Sequence, residues 1–244
     1  MMVYSQKMLE KLPEKNGFRL RGLDMTRLET FLDAAFAFAV TMLVISIDHI
    51  PANYPELIAA LKGIPAFASS FTIMMFFWIS HRKWSRYYGM EDNTSIFISL
   101  LLIFVLLVYI YPLKLMFSAF FSWVSVGWLP SEFVLKSRSE LINLFFVYGI
   151  GYSVMAFLMA ILYKRSKRAK DILKLNQLEL VLTNLEITTW YIMGVTSLIS
   201  ALFALIMPVP IATFAGFVYM SLPFTMTYTG IYYNKKIGSL KKMV

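Results

Sequence analysis

Five long stretches of this chain carry no formal charge beyond a single aspartate, Asp33, and that pattern limits the possible folds more than any motif does. An ionised side chain near the centre of a bilayer costs about 2.5–3.5 kcal/mol on insertion scales, so charges collect at the ends of membrane helices. The stretches run from about Phe31 to Ile47, Gly63 to Ser80, Asn93 to Leu113 and Leu141 to Tyr163, followed by one long run from Ile187 to Asn234. Each of the first four approaches the ~20 residues a helix needs to cross the hydrocarbon. The last is too long for one helix. It contains Pro208-Val209-Pro210, and proline neither donates a backbone hydrogen bond nor tolerates helix just before it, so two helices in a tight hairpin are predicted. With 59% hydrophobic and 15% charged residues, the chain lacks the polar surface a water-soluble domain needs. The expected fold class is an all-α integral membrane protein with six transmembrane helices.

The net charge of +9 would suggest a nucleic-acid partner if the basic residues formed one patch. They do not. Nineteen of the 23 Lys and Arg lie before or at the start of span 1, after span 2, after span 4 or at the end of the chain. The opposite side holds only Lys62, Lys114, Lys136 and Arg138, and the hairpin between spans 5 and 6 has no charge. The positive-inside rule therefore predicts both termini in the cytoplasm, a multi-pass protein of the cell (plasma) membrane and no nucleic-acid partner. Aromatic belts are expected at Trp84, Tyr87, Tyr88, Trp190, Tyr232 and Tyr233 on the inner side, and at Tyr109, Tyr111, Trp123 and Trp128 on the outer. The domain reading is a cytoplasmic N-terminal arm over 1–26, a six-helix transmembrane domain over 27–234 and a basic cytoplasmic tail over 235–244. No cleavable signal peptide is expected, because the first thirty residues are mixed polar and basic. Leu115 to Pro130, apolar but bounded by Lys114, Gly127 and Pro130, reads as an outer interfacial or half-inserted element.

Span 1 is the most informative segment. It begins Arg27-Leu28-Glu29-Thr30-Phe31-Leu32-Asp33 and continues through an alanine-rich run into Thr41-Met42-Leu43-Val44-Ile45. Asp33 lies just inside the apolar run. It either snorkels to the inner interface or belongs to a buried network that orients the helix.

These residues resemble the Arg-x-x-x-Phe-Ser-Asp signature of the transmembrane protein 175 potassium channels, carried here by Arg27, Phe31 and Asp33. The resemblance is strongest over 27–47. It extends to Trp78 and His81, a Trp followed three residues later by a His, and to Pro112 at the outer end of span 3. It implies a homotetramer in which span 1 of each subunit lines a cation pore, with the lipid bilayer and monovalent cations as further partners. Potassium is then the permeant ion and no cofactor is implied. Arg27, Phe31, Asp33, Trp78 and His81 form the signature network. Leu32 stands where the family has Ser, Ala34 where it usually has Gly, and Phe38 where it has an aliphatic residue in the narrow part of the pore.

Helical spacing places Phe38, Thr41, Met42, Ile45 and Asp48 on one face. Four copies around an axis would stack apolar rings, one hydroxyl layer and, at Asp48, an acidic outer mouth, which are the ingredients of a hydrophobic gate that favours cations. The same face also suits a helix packed inside a bundle, with Thr41 bonded back to the Ala37 carbonyl. Val147-Tyr148-Gly149-Ile150-Gly151-Tyr152 superficially matches a carbonyl filter, but it sits within an unbroken span and suits close helix packing better. The topology separates His49 from His81, which rules out a shared metal. The basic run from Lys164 to Lys174 suits anionic headgroups as well as topology. The absence of Cys rules out disulfides and thiolate chemistry, and no glycine-rich phosphate loop or paired His–carboxylate cluster points to an enzyme. The readings are an oligomeric cation channel gated by span 1 or, as the alternative, a secondary transporter or a non-conducting membrane protein of the same fold.

Overall fold

The computed structural model of the protein describes residues 6–45, 51–131 and 137–241. A short helix, α1 (Gln6–Leu9), precedes a two-stranded antiparallel hairpin, β1 (Glu14–Lys15) and β2 (Phe18–Arg19). Asn16 and Gly17 turn this hairpin, both at positive φ. Then come α2 (Arg27–Ile45), α3 (Tyr54–Lys62), α4 (Ile64–Tyr88), α5 (Asn93–Val124), α6 (Arg138–Arg168), α7 (Lys170–Leu173), α8 (Gln177–Ile206), α9 (Val209–Ala212), a 3₁₀ segment (Ala215–Ser221) and α10 (Leu222–Lys241). Among the described residues, four segments are long and apolar enough to cross a membrane: Tyr54–Tyr88, Asn93–Val124, Arg138–Arg168 and Gln177–Ile206. The helices α2 and α10 are 19 and 20 residues long.

Local chemistry fixes the helix starts. Thr26 and Glu29 cap α2 reciprocally: the Glu29 N–H donates to Thr26 Oγ1 at 3.2 Å and the Thr26 N–H to Glu29 Oε2 at 3.1 Å. Asn176 and Glu179 do the same for α8, while Asp92 and Ser137 cap α5 and α6.

Three features depart from the sequence expectation. The third span does not end at Leu113, because α5 runs on through Pro112 and the buried Lys114 for 32 residues in all, to Val124. A helix of that length extends about 48 Å, well beyond a ~30 Å hydrocarbon layer. The apolar segment after Lys114 is thus largely the far end of α5, closed by a turn with Val126 and Gly127 at positive φ. Packed helices in a membrane re-satisfy the groups a proline frees, so the residue is no reliable stop there. The connection from α8 to α10 is broader than a tight hairpin, since α9 and the 3₁₀ segment intervene after Pro208. Finally, Trp84, Tyr88, Tyr109 and Trp190 are buried in the core and do not form part of a lipid-facing belt. Trp84 donates its indole N–H to Ser166 Oγ at 2.9 Å, and the Tyr88 hydroxyl lies 2.7 Å from Thr183 Oγ1. These inward polar partners explain the direction of Trp84 and Tyr88, while Trp190 packs its ring against Phe76 and Phe77.

The most extensive packing is between α6 and α8, and it depends on small residues. A Cβ on Gly149 would sit 2.8 Å from Ala201 Cβ and 2.9 Å from the Ser197 carbonyl. The hydrogen bonds across this seam are reciprocal: Ser197 donates to the Gly149 carbonyl and Ser153 to the Gly194 carbonyl, both at 2.9 Å. Close backbone approach with serine hydroxyls as cross-links is how apolar helices associate where lipid offers no hydrophobic drive. Gly149 therefore belongs to the α6–α8 seam, whereas Gly151 makes room for the Tyr109 ring of α5.

Candidate functional site on α2

Two apolar seams run along α2. Leu32, Phe36, Ala39 and Leu43 are buried against the bundle core. Their spacing of four, three and four residues matches a stripe on one face. Arg27, Phe31, Ala34, Phe38 and Thr41 repeat that spacing on the other face, and all five are exposed. Phe31 and Phe38 are each 57% exposed. Thr41 spends its hydroxyl on its own helix, donating to the Ala37 carbonyl at 3.0 Å. Met42 sits at the margin, half-buried against the core. Ile45 ends the helix, but its side chain lies outside the described residues, as do Asp48 and His49. Leu32, where the resemblance expects Ser, is one of the buried residues and works as core.

A mixed-charge cavity of about 260 Å³ opens at the inner end of α2, lined by Glu29, Asp33, Trp78, His81, Arg82 and Arg86. The Trp78 indole N–H donates to Asp33 Oδ1 at 2.7 Å, which joins α2 to α4. The Arg82 guanidinium lies over the same Trp78 ring, 5.4 Å from its centre. His81, buried, shares a hydrogen bond with Ser99 Oγ at 2.9 Å and so joins α4 to α5. Three helices therefore meet through Asp33, Trp78, His81 and Ser99. Arg27 is exposed at the start of α2 and does not line this cavity. Arg82 and Arg86, two of the basic residues after span 2 that the topology argument counts, do line it. Their spacing of four and eight residues after Trp78 puts them on its face of α4, and that periodicity was the signal available to find them.

A second tie lies beside the first. Arg86 donates to the carbonyls of Gly22 and Leu23 at 2.9 and 2.7 Å, just ahead of the α2 cap. No group of three or more His, Cys, Asp or Glu suited to a metal ion occurs among the described residues.

Apolar spans, small-residue helix seams and an aspartate–tryptophan network at a helix end define an α-helical multi-pass membrane protein. A family model described as endosomal/lysosomal potassium channel TMEM175 matches residues 27–112, which include α2, α4 and the cavity between them. A potassium channel of Marivirga tractuosa is 34% identical over 197 residues, covering 78% of this chain and 79% of that one. A crystal structure of a variant of the potassium channel MtTMEM175, in complex with a nanobody–MBP fusion, superposes with a TM-score of 0.80 at 30% identity, covering 91% of this chain and 99% of that one. The chain belongs to the TMEM175 potassium channel family, whose members compared here are channels and not enzymes.

Proposed function

We propose that this chain conducts potassium across the plasma membrane as a homotetramer, with α2 of each subunit lining the pore. The observation that carries this reading is the second seam of α2. Lipid can cover a bare apolar stripe such as Val195, Ile199, Leu202 and Ile206 on α8, but the bare stripe of α2 starts at the charged Arg27 and includes Thr41, and one lining helix per subunit cannot enclose a pore alone. In this reading α2, α4, α5, α6, α8 and α10 are the six spans and both termini are cytoplasmic. Phe38, Thr41, Met42 and Ile45 line the narrow part, with Met42 at the edge of the lining. Phe38 and Ile45 close the path by dewetting, and Asp48 gathers cations at the outer mouth. Of the signature residues, Asp33, Trp78 and His81, joined by Arg82, anchor the inner end of the helix, while Arg27 and Phe31 lie on its exposed face. The working partners are three further copies of the chain, the bilayer and the permeant cation.

The deciding experiment is purified protein in planar bilayers under opposed potassium and sodium gradients. Currents that do not saturate, with a reversal potential near the potassium equilibrium value, are the expected result. Saturating, strictly coupled flux would indicate a transporter, and silence in bilayers that contain folded tetramer would indicate a non-conducting member of the fold.

A further inference from the structure

Just before α2, the chain is fastened from two sides by contacts that the pore reading does not use. On one side lies Glu179, in the first turn of α8, with its carboxylate fully shielded from solvent. It accepts hydrogen bonds from both terminal nitrogens of Arg21, at 3.0 and 2.9 Å. It also accepts from the backbone N–H of Arg19 at 3.0 Å and from that of Asn176 at 2.9 Å. Arg21 is equally buried and donates its Nε–H to the Leu173 carbonyl at 3.0 Å. On the other side, the backbone N–H groups of Arg21 and Gly22 both donate to the Arg86 carbonyl at 3.1 Å, and Arg86 returns the bonds to Gly22 and Leu23 described above. The strand is pressed so tightly onto α4 that a Cβ on Gly22 would lie 2.5 Å from the Ser85 carbonyl.

A buried ion pair adds little net stability over an apolar pair of the same size, because desolvation consumes most of the attraction. What such a pair does well is fix one arrangement against its alternatives. Here the fixed arrangement matters for α2. From Leu23, the last anchored residue, to Arg27 is four residues, which can span at most about 14 Å. Directly, α2 packs against α4 and α5. The Arg21–Glu179 pair ties its inner end to α8 as well, and so to the α6–α8 pair.

We propose that Arg21 and Glu179 are positioning residues for the pore helix, setting where the inner end of α2 rests relative to α8 and hence the balance between closed and open pore. The proposal rests on α2 lining the pore. Its reach is the free-energy gap between two positions of one helix, and couplings of this kind change an equilibrium by roughly 5–150-fold.

The test uses the full-length tetramer. The double variant Arg21→Met with Glu179→Met removes the pair without stranding a buried charge, and Gly22→Ala lifts the strand from α4 with the pair intact. Both are recorded as single channels and compared with wild type. The expected result is an open probability changed at least about fivefold, with unitary conductance and reversal potential unchanged. A purely structural role would leave open probability alone. In parallel, spin labels at Met25→Cys and Gln177→Cys, in labelled chains diluted with unlabelled ones, report the distance from the inner end of α2 to the start of α8. The chain has no other cysteine. This distance is expected to broaden or shift in both variants, and it is read whether or not the protein conducts, so a silent wild type defeats the channel reading without hiding the answer here. Wild-type open probability and distance in the variants overturn the proposal. Loss of assembly in the double variant also overturns it, whether Gly22→Ala assembles or not, unless the assembled Gly22→Ala tetramer itself shifts both readouts as expected.

Discussion

The helices α8 and α2 solve the same problem in opposite ways. Four buried polar side chains along α8 find partners in the same subunit: Glu179 with Arg21, Thr183 with Tyr88, Ser197 with Gly149 and Ser200 with Ala215. Half the circumference of α2 finds nothing in its own subunit. A membrane helix cross-linked by such bonds serves as frame, and its remaining bare stripe, Val195, Ile199, Leu202 and Ile206, is purely apolar and suits lipid, whereas the bare stripe of α2 starts at Arg27 and includes Thr41. In the proposed reading the difference separates stability, carried by α6 and α8, from conduction, carried by α2, and each half of that statement can be broken.

The largest expected effect sets Phe36 against Phe38, two residues apart on α2. Phe36 is buried at 2% exposure and Phe38 is bare at 57%. Phe36→Ala should cost about 3–5 kcal/mol of stability through the cavity it leaves. Phe38→Ala should leave thermal unfolding in detergent nearly unchanged while raising cation flux and lowering selectivity, because it removes the bulkiest of the four proposed pore-lining side chains. Equal destabilisation by the two substitutions, read as melting temperatures, would place Phe38 in a packed core and end the two-seam account.

Next comes the frame. Gly149→Val pushes a branched side chain into Ala201 and the Ser197 carbonyl, where even a Cβ is too close. Overpacking of that kind costs about 1–3 kcal/mol. The melting temperature should fall, and the tetramers that survive should keep wild-type unitary conductance. A variant that melts normally but conducts differently would put α6 and α8 on the functional side of the division.

Much of this division was legible in the sequence, though not its orientation. Charge gaps located the long helices, and Gly149 with Gly151 announced close helix packing, because both signals are local and periodic. Which seam of α2 faces inward was not legible. Leu32-Phe36-Ala39-Leu43 and Phe31-Ala34-Phe38-Thr41 share one spacing and nearly one composition, so periodicity gives two stripes and cannot rank them. Arg21 and Glu179 lie 158 residues apart, and nothing local to either one announces the other. The end of the third span was not legible for a different reason: the Leu113 boundary rests on the charge of Lys114, which the fold buries within α5.

The cavity at the junction of frame and pore helix supplies a smaller effect. Asp33→Ala leaves the Trp78 N–H without its acceptor and should cost about 1 kcal/mol, the lower end for an unsatisfied donor, since the cavity is open to water. Folded yield and tetramer fraction on size exclusion should both drop, and Asp33→Asn, which keeps an acceptor oxygen, should recover most of the loss. Wild-type assembly and melting in Asp33→Ala would mean that Asp33 only snorkels to the interface.

The smallest expected effect tests whether the frame is also pinned by charge where it leaves the membrane. Asp92, between α4 and α5, pairs with Arg165 near the end of α6. Partial burial works against the Asp92 carboxylate, yet hydrogen bonds from Arg165 and Ser95 outweigh it and hold the carboxyl below its ordinary range. A carboxyl whose folded value is depressed stabilises the folded state above its unfolded value of about 3.9, and that contribution is lost as pH falls through the lower folded value. Both groups remain partly exposed, so the pair is worth roughly 0.2–1 kcal/mol. Asp92→Asn keeps a good helix cap on α5 and removes only the charge. Below about pH 4 the melting temperature of wild type should therefore decline more steeply than that of the variant, whereas at neutral pH the variant should melt slightly lower. Parallel pH profiles with no neutral-pH offset would show that the frame owes nothing to this pair and is held by the α6–α8 seam alone.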